Sequence, residues 1–145
     1  LMPQYMSTLH EPGTSNIIDR IKAINAFIDA GYSVHINFSP VIVEDNWLED
    51  YEELFTMVND YVDYKDQVLA EVIFLTHNEK KHEENLVKHR ETEVHLWNPA
   101  IQEEKVSQYG GTNVRYARHL KHLYIDAFKA LHEKIIPWNT IRYIF

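Results

Sequence analysis

Two tyrosines, two glycines and a group of cations lie close together near residue 110. Tyr109 and Tyr116 could stack on nucleic-acid bases, and Gly110 and Gly111 would let the backbone approach a phosphate closely. The cations that could contact phosphates or base edges are Arg115, Arg118 and Lys121. The segment therefore predicts a nucleic-acid contact. Taken alone, the same residues also fit an ordinary hairpin with two half-buried tyrosines, so both interpretations stay open.

The nine histidines raise a different chemistry, that of a metal site. His77, His82 and His89 lie in one segment, and His119 and His122 are three residues apart. No His-Glu-x-x-His sequence occurs, and one helical pair of histidines is a weak signal. The sequence therefore predicts no metal site. A Ser-His-Asp mechanism lacks its Gly-x-Ser-x-Gly elbow, and no residue of this chain is predicted to be catalytic.

Cysteine is absent from the 145 residues. Disulfides, a cysteine nucleophile, thiolate zinc sites and cysteine-ligated iron–sulfur clusters are therefore excluded within this chain. No apolar run approaches the roughly 20 residues of a membrane span, and no signal peptide is recognisable. We expect a cytoplasmic protein with no membrane partner. The sequence opens at Leu1 rather than at methionine, which hints at truncation, although cloning or processing would leave the same start.

The formal net charge is −8, but the charges are unevenly distributed. Residues 44–63 contain eight acids and no lysine or arginine. Residues 113–145 contain six lysines and arginines against two acids. Such an asymmetry can direct an anionic ligand to one end of an acidic protein. The simpler interpretation is that both stretches are solvated helix faces.

Hydrophobic periodicity predicts the elements that must position these residues. Helices are predicted between Pro12 and Gly31, from Asn46 to Val62 and from Leu120 to Ile135. Strands are predicted at Ser33–Pro40, at Val72–Leu75, where both faces should be buried, and at Thr140–Phe145. Val106–Tyr109 and Thr112–Tyr116 form a hairpin or loop around the glycine pair.

The order strand, helix, strand indicates a βαβ unit with a parallel strand pair. Two parallel strands leave two unpaired edges and make a poor closed domain. We therefore expect this unit to belong to a larger sheet or barrel, part of which lies upstream. Exposed edges and an uncovered barrel interior should favour self-association or binding of the missing N-terminal half.

Several short motifs follow one another along the chain. They are Glu11-Pro-Gly-Thr-Ser, Asp19-Arg-Ile, Ala30-Gly-Tyr, a strand ending in Pro40, Trp47-Leu-Glu-Asp-Tyr-Glu-Glu-Leu-Phe55 and Glu71-Val-Ile-Phe-Leu-Thr-His77. Their order and spacing resemble the spore photoproduct lyase family over nearly the whole chain. The sequence departs from the family pattern at Asn46 and Asp50, where that pattern has glycines.

The resemblance implies an α/β fold, the C-terminal βαβ portion of the partial (β/α)₆ barrel of radical S-adenosylmethionine enzymes. Ser33–Pro40 and Ala70–Thr76 would be its last two strands. Residues 1–76 would thus form the last barrel βα units. Residues 77–145 would form an α+β C-terminal extension with the hairpin, a helix and the terminal strand. Whether the chain is a single domain or a fragment stays open.

Family members hold a [4Fe–4S] cluster on a CxxxCxxC loop and cleave S-adenosylmethionine to a deoxyadenosyl radical. Both cofactors are expected in the full-length parent and neither in this chain alone. Barrel active sites lie at the carboxyl ends of the strands. The resemblance therefore implies S-adenosylmethionine contacts at Asn37 and Ser39 on the first strand and at His77 and Asn78 beyond the second. Alternatively, these are interior polar residues that satisfy one another.

The favoured function is the C-terminal part of a spore photoproduct lyase-like radical enzyme. Its parent would repair thymine-dimer-type lesions in DNA, and this part would be inactive alone. One alternative is a non-enzymatic module that binds nucleic acid or self-associates. Another is a metal-dependent enzyme built on the histidines.

Overall fold

The computed structural model describes residues 1–106 and 110–145. The helices are α1 (Gln4–His10), α2 (Ile17–Asp29), α3 (Trp47–Tyr61), α4 (Glu79–Lys88), α5 (Arg90–Leu96) and α6 (Arg118–Ile135). The strands are β1 (Val34–Val41), β2 (Val68–Phe74), β3 (Thr76–Asn78), β4 (Gln102–Val106), β5 (Thr112–Tyr116) and β6 (Thr140–Ile144). The predicted amphipathic helices correspond to α2, α3 and α6, whereas α1, α4 and α5 were not predicted.

Strands β1, β2 and β6 form a parallel sheet in the order β1-β2-β6. Val34 is in register with Val68, and Leu69 is in register with Thr140. The expected two-stranded unit is therefore three-stranded, because the terminal strand returns through α6 to pair with β2. In the described part of the chain, no strand pairs with the outer edge of β1 or of β6.

Strand β1 runs one residue further than predicted, to Val41. Its pairing with β2 is irregular between Phe38 and Val41. The proline between them lacks an N–H group and cannot donate to the ladder, which accounts for the irregularity. Strand β2 also differs from the prediction: it alternates buried and half-buried residues, so only one of its faces is fully covered.

An aromatic core fills the space between the parallel sheet and the helices. Phe38 from β1, Phe55 from α3 and Phe128 from α6 are all fully buried. Their rings meet edge-to-face with centroid separations of 5.3 Å for Phe38–Phe55 and 5.3 Å for Phe55–Phe128. Such aromatic pairs add to the stabilisation from burial alone. This core fixes the sheet against α3 and α6, so side chains on the opposite face of the sheet have a rigid support.

A buried polar link closes the turn between α6 and β6. His132 Nε2 and Asn139 Oδ1 lie 3.0 Å apart, and Asn139 Nδ2 donates to the Val68 carbonyl at 2.8 Å. Both polar side chains are almost fully buried. Because buried polar groups must be paired, this link specifies where β6 begins beside β2.

The Glu11-Pro-Gly-Thr-Ser turn is organised by Arg20 of α2. Arg20 Nη1 donates to Glu11 Oε2 at 2.7 Å, and Arg20 Nε donates to the Ser15 carbonyl at 2.8 Å. The positive φ of Gly13, +84°, suits a residue without a side chain. The arginine thus explains why the turn and the following Asp19-Arg-Ile occur together.

Asn46, the residue before α3, has a φ of +63°. Glycine adopts this left-handed conformation at no steric cost, and asparagine is among the residues that tolerate it best. Asparagine is therefore compatible with the left-handed backbone at this position. Asp50 lies within α3, where its backbone N–H donates to the Asn46 carbonyl at 3.2 Å, an ordinary helical bond that needs no glycine.

The second sheet is antiparallel, in the order β3-β5-β4. It contains a hairpin whose second strand is the predicted Thr112–Tyr116, with Val106 of β4 opposite Thr112 of β5. Its first strand is Gln102–Val106, ahead of the predicted Val106–Tyr109, of which residues 107–109 lie outside the described residues. Strand β3 follows β2 directly, so the chain passes from one sheet into the other at the carboxyl end of β2. No described helix is long and apolar enough to cross a membrane.

Candidate functional site

The face of the parallel sheet opposite the helices carries a polar network. Successive residues of a strand point to opposite faces, so burial of Phe38 against the helices leaves His35 and Asn37 on the other side. Arg142 Nη1 donates to Glu71 Oε1 at 2.9 Å and to His35 Nδ1 at 3.0 Å. The Tyr143 hydroxyl donates to Glu71 Oε2 at 2.6 Å. The four side chains therefore hold one another in place across all three strands.

Glu71 is the centre of this network. The hydrogen bond from Tyr143 is the largest influence on the pKa of Glu71 and lowers it; burial acts in the opposite direction, and His35 and the charge of Arg142 lower the pKa further. The carboxylate is therefore ionised at neutral pH. The network offers an ionised carboxylate, a guanidinium and an imidazole to a polar ligand lying over the open face. We call these four residues, His35, Glu71, Arg142 and Tyr143, the sheet network.

At the carboxyl end of β2, three side chains from different elements converge. His77 lies on β3, His82 on α4 and Glu93 on α5. His82 Nδ1 lies 2.6 Å from Glu93 Oε1 and 3.0 Å from His77 Nε2, and His77 also contacts Glu93 Oε1. These three ligand atoms lie within 4.8 Å of one another, close enough to hold one metal ion. We call them the His-His-Glu cluster.

Glu93 is 2% exposed. Burial by itself raises the pKa of this carboxyl group, but hydrogen bonds from His82 and Asn85 and the nearby His77 lower it overall. Asn85 Nδ2 donates to the second carboxylate oxygen, Oε2, at 2.8 Å. Both oxygens of a buried carboxylate are thus satisfied by side chains of the same region.

A cavity of about 590 Å³ lies beside this cluster, between the loop after β1 and the segment at and beyond the end of α5. Its lining includes Glu44, Asp45, His95 and Trp97. Burial raises the pKa of Glu44, the neighbouring Asp50 and Asp45 raise it further, and His95 opposes them. The Oε1 atom of Glu44 is buried and has no hydrogen-bond partner among the described residues. The cavity is therefore polar and opens near the carboxyl ends of the strands.

Around the hairpin, four cations lie close together: Lys105, Arg115, Arg118 and Lys121. We call them the hairpin cations. Burial lowers the pKa of Lys121, and the charges of Arg115 and Lys105 lower it further. Arg115 Nη2 donates to Glu103 Oε1 at 2.9 Å, so part of its charge is already compensated. An anion such as a phosphate would reduce the repulsion among these neighbouring positive charges.

Comparison with known proteins decides among the families that could supply such a fold. The sequence model of the spore photoproduct lyase family matches residues 1–145. The chain belongs to the spore photoproduct lyase family. No curated protein matches the sequence.

Solved spore photoproduct lyases have the same fold. One complexed with dinucleoside spore photoproduct superimposes with a TM-score of 0.88 at 19% identity. A mutant with bound AdoMet and dinucleoside spore photoproduct gives the same values, 0.88 and 19%. Another mutant with dinucleoside spore photoproduct gives 0.90 and 20%. Each match covers 100% of this chain and 43% of the solved lyase. The predicted fold class, part of the lyase's α/β barrel with an extension, is confirmed.

The four residues expected to contact S-adenosylmethionine are differently placed within the lyase fold. Asn37 is exposed and Ser39 half-buried, both on β1. His77 is 7% exposed and belongs to the His-His-Glu cluster. The Asn78 side chain caps α4 by accepting a hydrogen bond from the Lys81 backbone N–H at 3.1 Å. The first pair is free to meet a ligand, whereas the second pair already has protein partners.

The residues expected to contact DNA also separate into two groups. Gly110, Gly111 and Arg118 are exposed, whereas Arg115 and Lys121 are half-buried. Tyr109 lies outside the described residues. Tyr116 is 1% exposed, and its hydroxyl accepts a hydrogen bond from the Val43 backbone N–H at 2.8 Å. The structure therefore places Tyr116 in the core, where its ring has no free face to stack on a base.

Sequence reasoning missed Glu71, Arg142, Tyr143, Glu93 and Lys105. Glu71 could have been found, because it interrupts an apolar strand at a position that alternates with Ala70 and Val72. Glu93 could not, because α4 and α5 contain too few apolar residues to show which face is buried.

Proposed function

We propose that this chain is the C-terminal part of a radical S-adenosylmethionine lyase that repairs thymine-dimer-type lesions in DNA. One observation carries the proposal: a polar, uncovered face on a sheet whose fold matches lyases solved with AdoMet and dinucleoside spore photoproduct. The chain spans 43% of the length of those lyases. Repair by the proposed lyase would therefore also depend on residues outside this chain.

The chain's own residues do not fit a [4Fe–4S] cluster. The cluster needs thiolate ligands, and the sequence contains no cysteine. No step of the reaction is therefore assigned to a cluster in this chain. In the proposed parent, S-adenosylmethionine supplies the radical that starts repair.

The proposed role of the sheet is to bind and orient polar groups of the cofactor or the lesion. Asn37 and Ser39 of β1 would contact S-adenosylmethionine, and the sheet network would lie next to them. His77 and Asn78, which lie just beyond β2, would help to bind S-adenosylmethionine by positioning the start of α4 beside it. Because Glu71 is held by Tyr143 and Arg142, it would present a fixed negative charge without rearrangement.

The proposed role of the hairpin is to hold the DNA backbone. Arg118 and Lys121 would contact phosphates, and Gly110 and Gly111 would let the backbone come close. Arg115 would contribute less, because Glu103 already compensates its charge. Support comes from the positive charges of Arg115 and Lys105, which lie close enough to Lys121 to lower its pKa in addition to burial.

Binding of lesion-containing and undamaged oligonucleotides tests this role, by fluorescence anisotropy over a series of salt concentrations. Arg118→Gln and Lys121→Gln should weaken binding and flatten the dependence of log K on log salt by about 0.7–0.9 per lost contact. Lys129→Gln removes an equal charge from an exposed position of α6 and should change neither value. Salt-independent binding, or equal effects of all three variants, would reject the hairpin as the DNA contact.

A second candidate is a module that binds nucleic acid without chemistry. The same hairpin cations favour it, since they lie in this chain and the cluster ligands do not. It predicts equal affinity for damaged and undamaged DNA. The lyase predicts tighter binding of the lesion, because a damaged base pair is cheaper to open.

A further inference from the structure

We propose that His77, His82 and Glu93 bind one divalent first-row transition metal ion, with Zn²⁺ preferred. The proposal does not depend on the proposed function, since it rests on side chains of this chain alone. Two imidazoles and one carboxylate are a ligand set that zinc adopts when a fourth position is left for water or another ligand. The same set with more open positions suits Fe²⁺, so the choice of metal is part of the test.

The backbone brings the two histidines to one side. His77 is held on β3 opposite Val114 of β5. The chain then turns into α4, whose start is fixed by the Asn78 side chain on the Lys81 N–H. His82 therefore lies in the first turns of a helix that starts at a defined point, and its ring faces His77 across 4.9 Å between centroids.

The three ligand atoms converge on one point, at separations somewhat shorter than a shared ion requires. Metal–ligand bonds of about 2.0–2.1 Å at tetrahedral angles separate the ligand atoms by about 3.3 Å. His77 Nε2 and His82 Nδ1 are 3.0 Å apart, and Glu93 Oε1 is closer to both. An ion at the centre therefore requires the two histidine nitrogens to separate by about 0.3 Å, His82 Nδ1 and Glu93 Oε1 by about 0.7 Å, and His77 Nε2 and Glu93 Oε1 by more.

The surroundings hold the ligands in this orientation. Asn85 engages Glu93 Oε2 at 2.8 Å and leaves Oε1 for the ion. The His82 ring stacks on Trp97 with centroids 4.9 Å apart. Partners of this kind fix ligand orientation, and their loss usually weakens metal binding. The side chain of His82 is 15% exposed, which gives an ion a route to a site whose carboxylate is otherwise buried.

The packing of α4 and α5 gives an independent reason for a metal. None of the ten residues of α4, all of which the structure describes, is buried. In α5, likewise fully described, the only buried residue is Glu93. Helices normally dock through an apolar face, whereas the most buried contacts of these two are a carboxylate and a histidine, with Leu96 of α5 as a partly buried apolar contact. An ion that joins β3, α4 and α5 would supply the missing attachment and fix one wall of the neighbouring cavity.

Metal content and affinity of the untagged chain test the proposal. One equivalent of zinc by mass spectrometry is expected after exposure to equimolar Zn²⁺ and gel filtration. His82→Gln and Glu93→Gln should bind at least 10-fold more weakly, and Asn85→Ala about 10-fold. His89→Gln, which removes an exposed histidine of the same segment, should bind like the parent. Substoichiometric zinc in the parent, or equal affinities in all variants, would overturn the proposal.

Two measurements on the unmutated chain do not depend on variants that could fail to fold. Co²⁺ should give an intense visible spectrum if the site is tetrahedral, and a weak one if it is the more open site that suits Fe²⁺. Hydrogen exchange with Zn²⁺ or with a chelator should differ by at least 10-fold in protection, and only across residues 77–97. Unchanged exchange there would show that His77, His82 and Glu93 form a hydrogen-bonded cluster without metal.

Discussion

The hydrogen bond between Tyr116 and Val43 offers a sharp test of where the hairpin is anchored. The two residues are 73 positions apart, and their 2.8 Å bond joins the end of β5 to the loop after β1. Tyr116→Phe removes the hydroxyl and keeps the ring, so the contacts with Phe74 and Tyr124 remain. The change therefore isolates one hydrogen bond.

The expected cost follows from the partner that is left behind. Loss of the hydroxyl leaves the half-buried Val43 N–H unpaired, which costs about 1–3 kcal/mol. For a chain of this length, that corresponds to a fall in the melting temperature of about 2–10 °C. Tyr116→Ala also removes a fully buried ring and should cost about 3–5 kcal/mol.

Urea unfolding followed by tryptophan fluorescence measures these differences, with DNA binding recorded for each folded variant. Tyr32→Phe, at a tyrosine that is 64% exposed, is the control and should change stability by less than about 0.5 kcal/mol. Tyr116→Phe should leave DNA affinity unchanged. If it keeps parental stability but weakens DNA binding, the Tyr116 hydroxyl contacts nucleic acid instead of the Val43 N–H, and the structural assignment fails.

Three further predictions concern the whole chain. Anaerobic reconstitution with iron and sulfide should give no [4Fe–4S] absorption, because the chain has no thiolate; stoichiometric iron with a cluster band would contradict this. Burial lowers the pKa of His132 below its ordinary 6.5, so the unfolded chain binds the proton more tightly than the folded chain does. The contribution of His132 to the free energy of unfolding should therefore be complete above about pH 6.5 and should decrease as the pH falls below it. In His132→Gln, urea unfolding should depend less on pH over this range. The outer edges of β1 and β6 are unpaired within the described residues, so light scattering at micromolar concentration should detect dimers or larger species; a monodisperse monomer would count against exposed edges.

Periodicity predicted the elements that bury an apolar stripe. In α3, burial recurs at Trp47, Tyr51, Leu54, Phe55 and Val58, so the sequence alone indicates both the helix and its inner face. The hairpin was predictable from the glycine pair, which marks a turn between two short segments, but the pattern placed its first strand at Val106–Tyr109 and not at Gln102–Val106. These are local signals that do not depend on the rest of the fold.

Other features depend on contacts between distant residues and carry no local signal. In the sequence, Tyr116 resembles a residue that stacks on bases, because it is an aromatic residue among cations. Only the fold, which brings it next to Val43, shows that it is a core residue. Strand β6 was predicted, but its parallel pairing with β2 depends on the His132–Asn139 link and on α6. Glu93 can be recognised as a candidate ligand only in the structure, where α5 places it against two histidines 11 and 16 residues away.

Repair of dinucleoside spore photoproduct is the most direct test of the proposed lyase function. The chain should be expressed together with the sequence that precedes it, loaded anaerobically with iron and sulfide, and supplied with S-adenosylmethionine and a reductant. Conversion of the lesion to thymines is expected, with a large loss of rate in Glu71→Gln and a smaller loss in Lys121→Gln. A protein that carries its cluster and cleaves S-adenosylmethionine but leaves the lesion intact would contradict the proposed function.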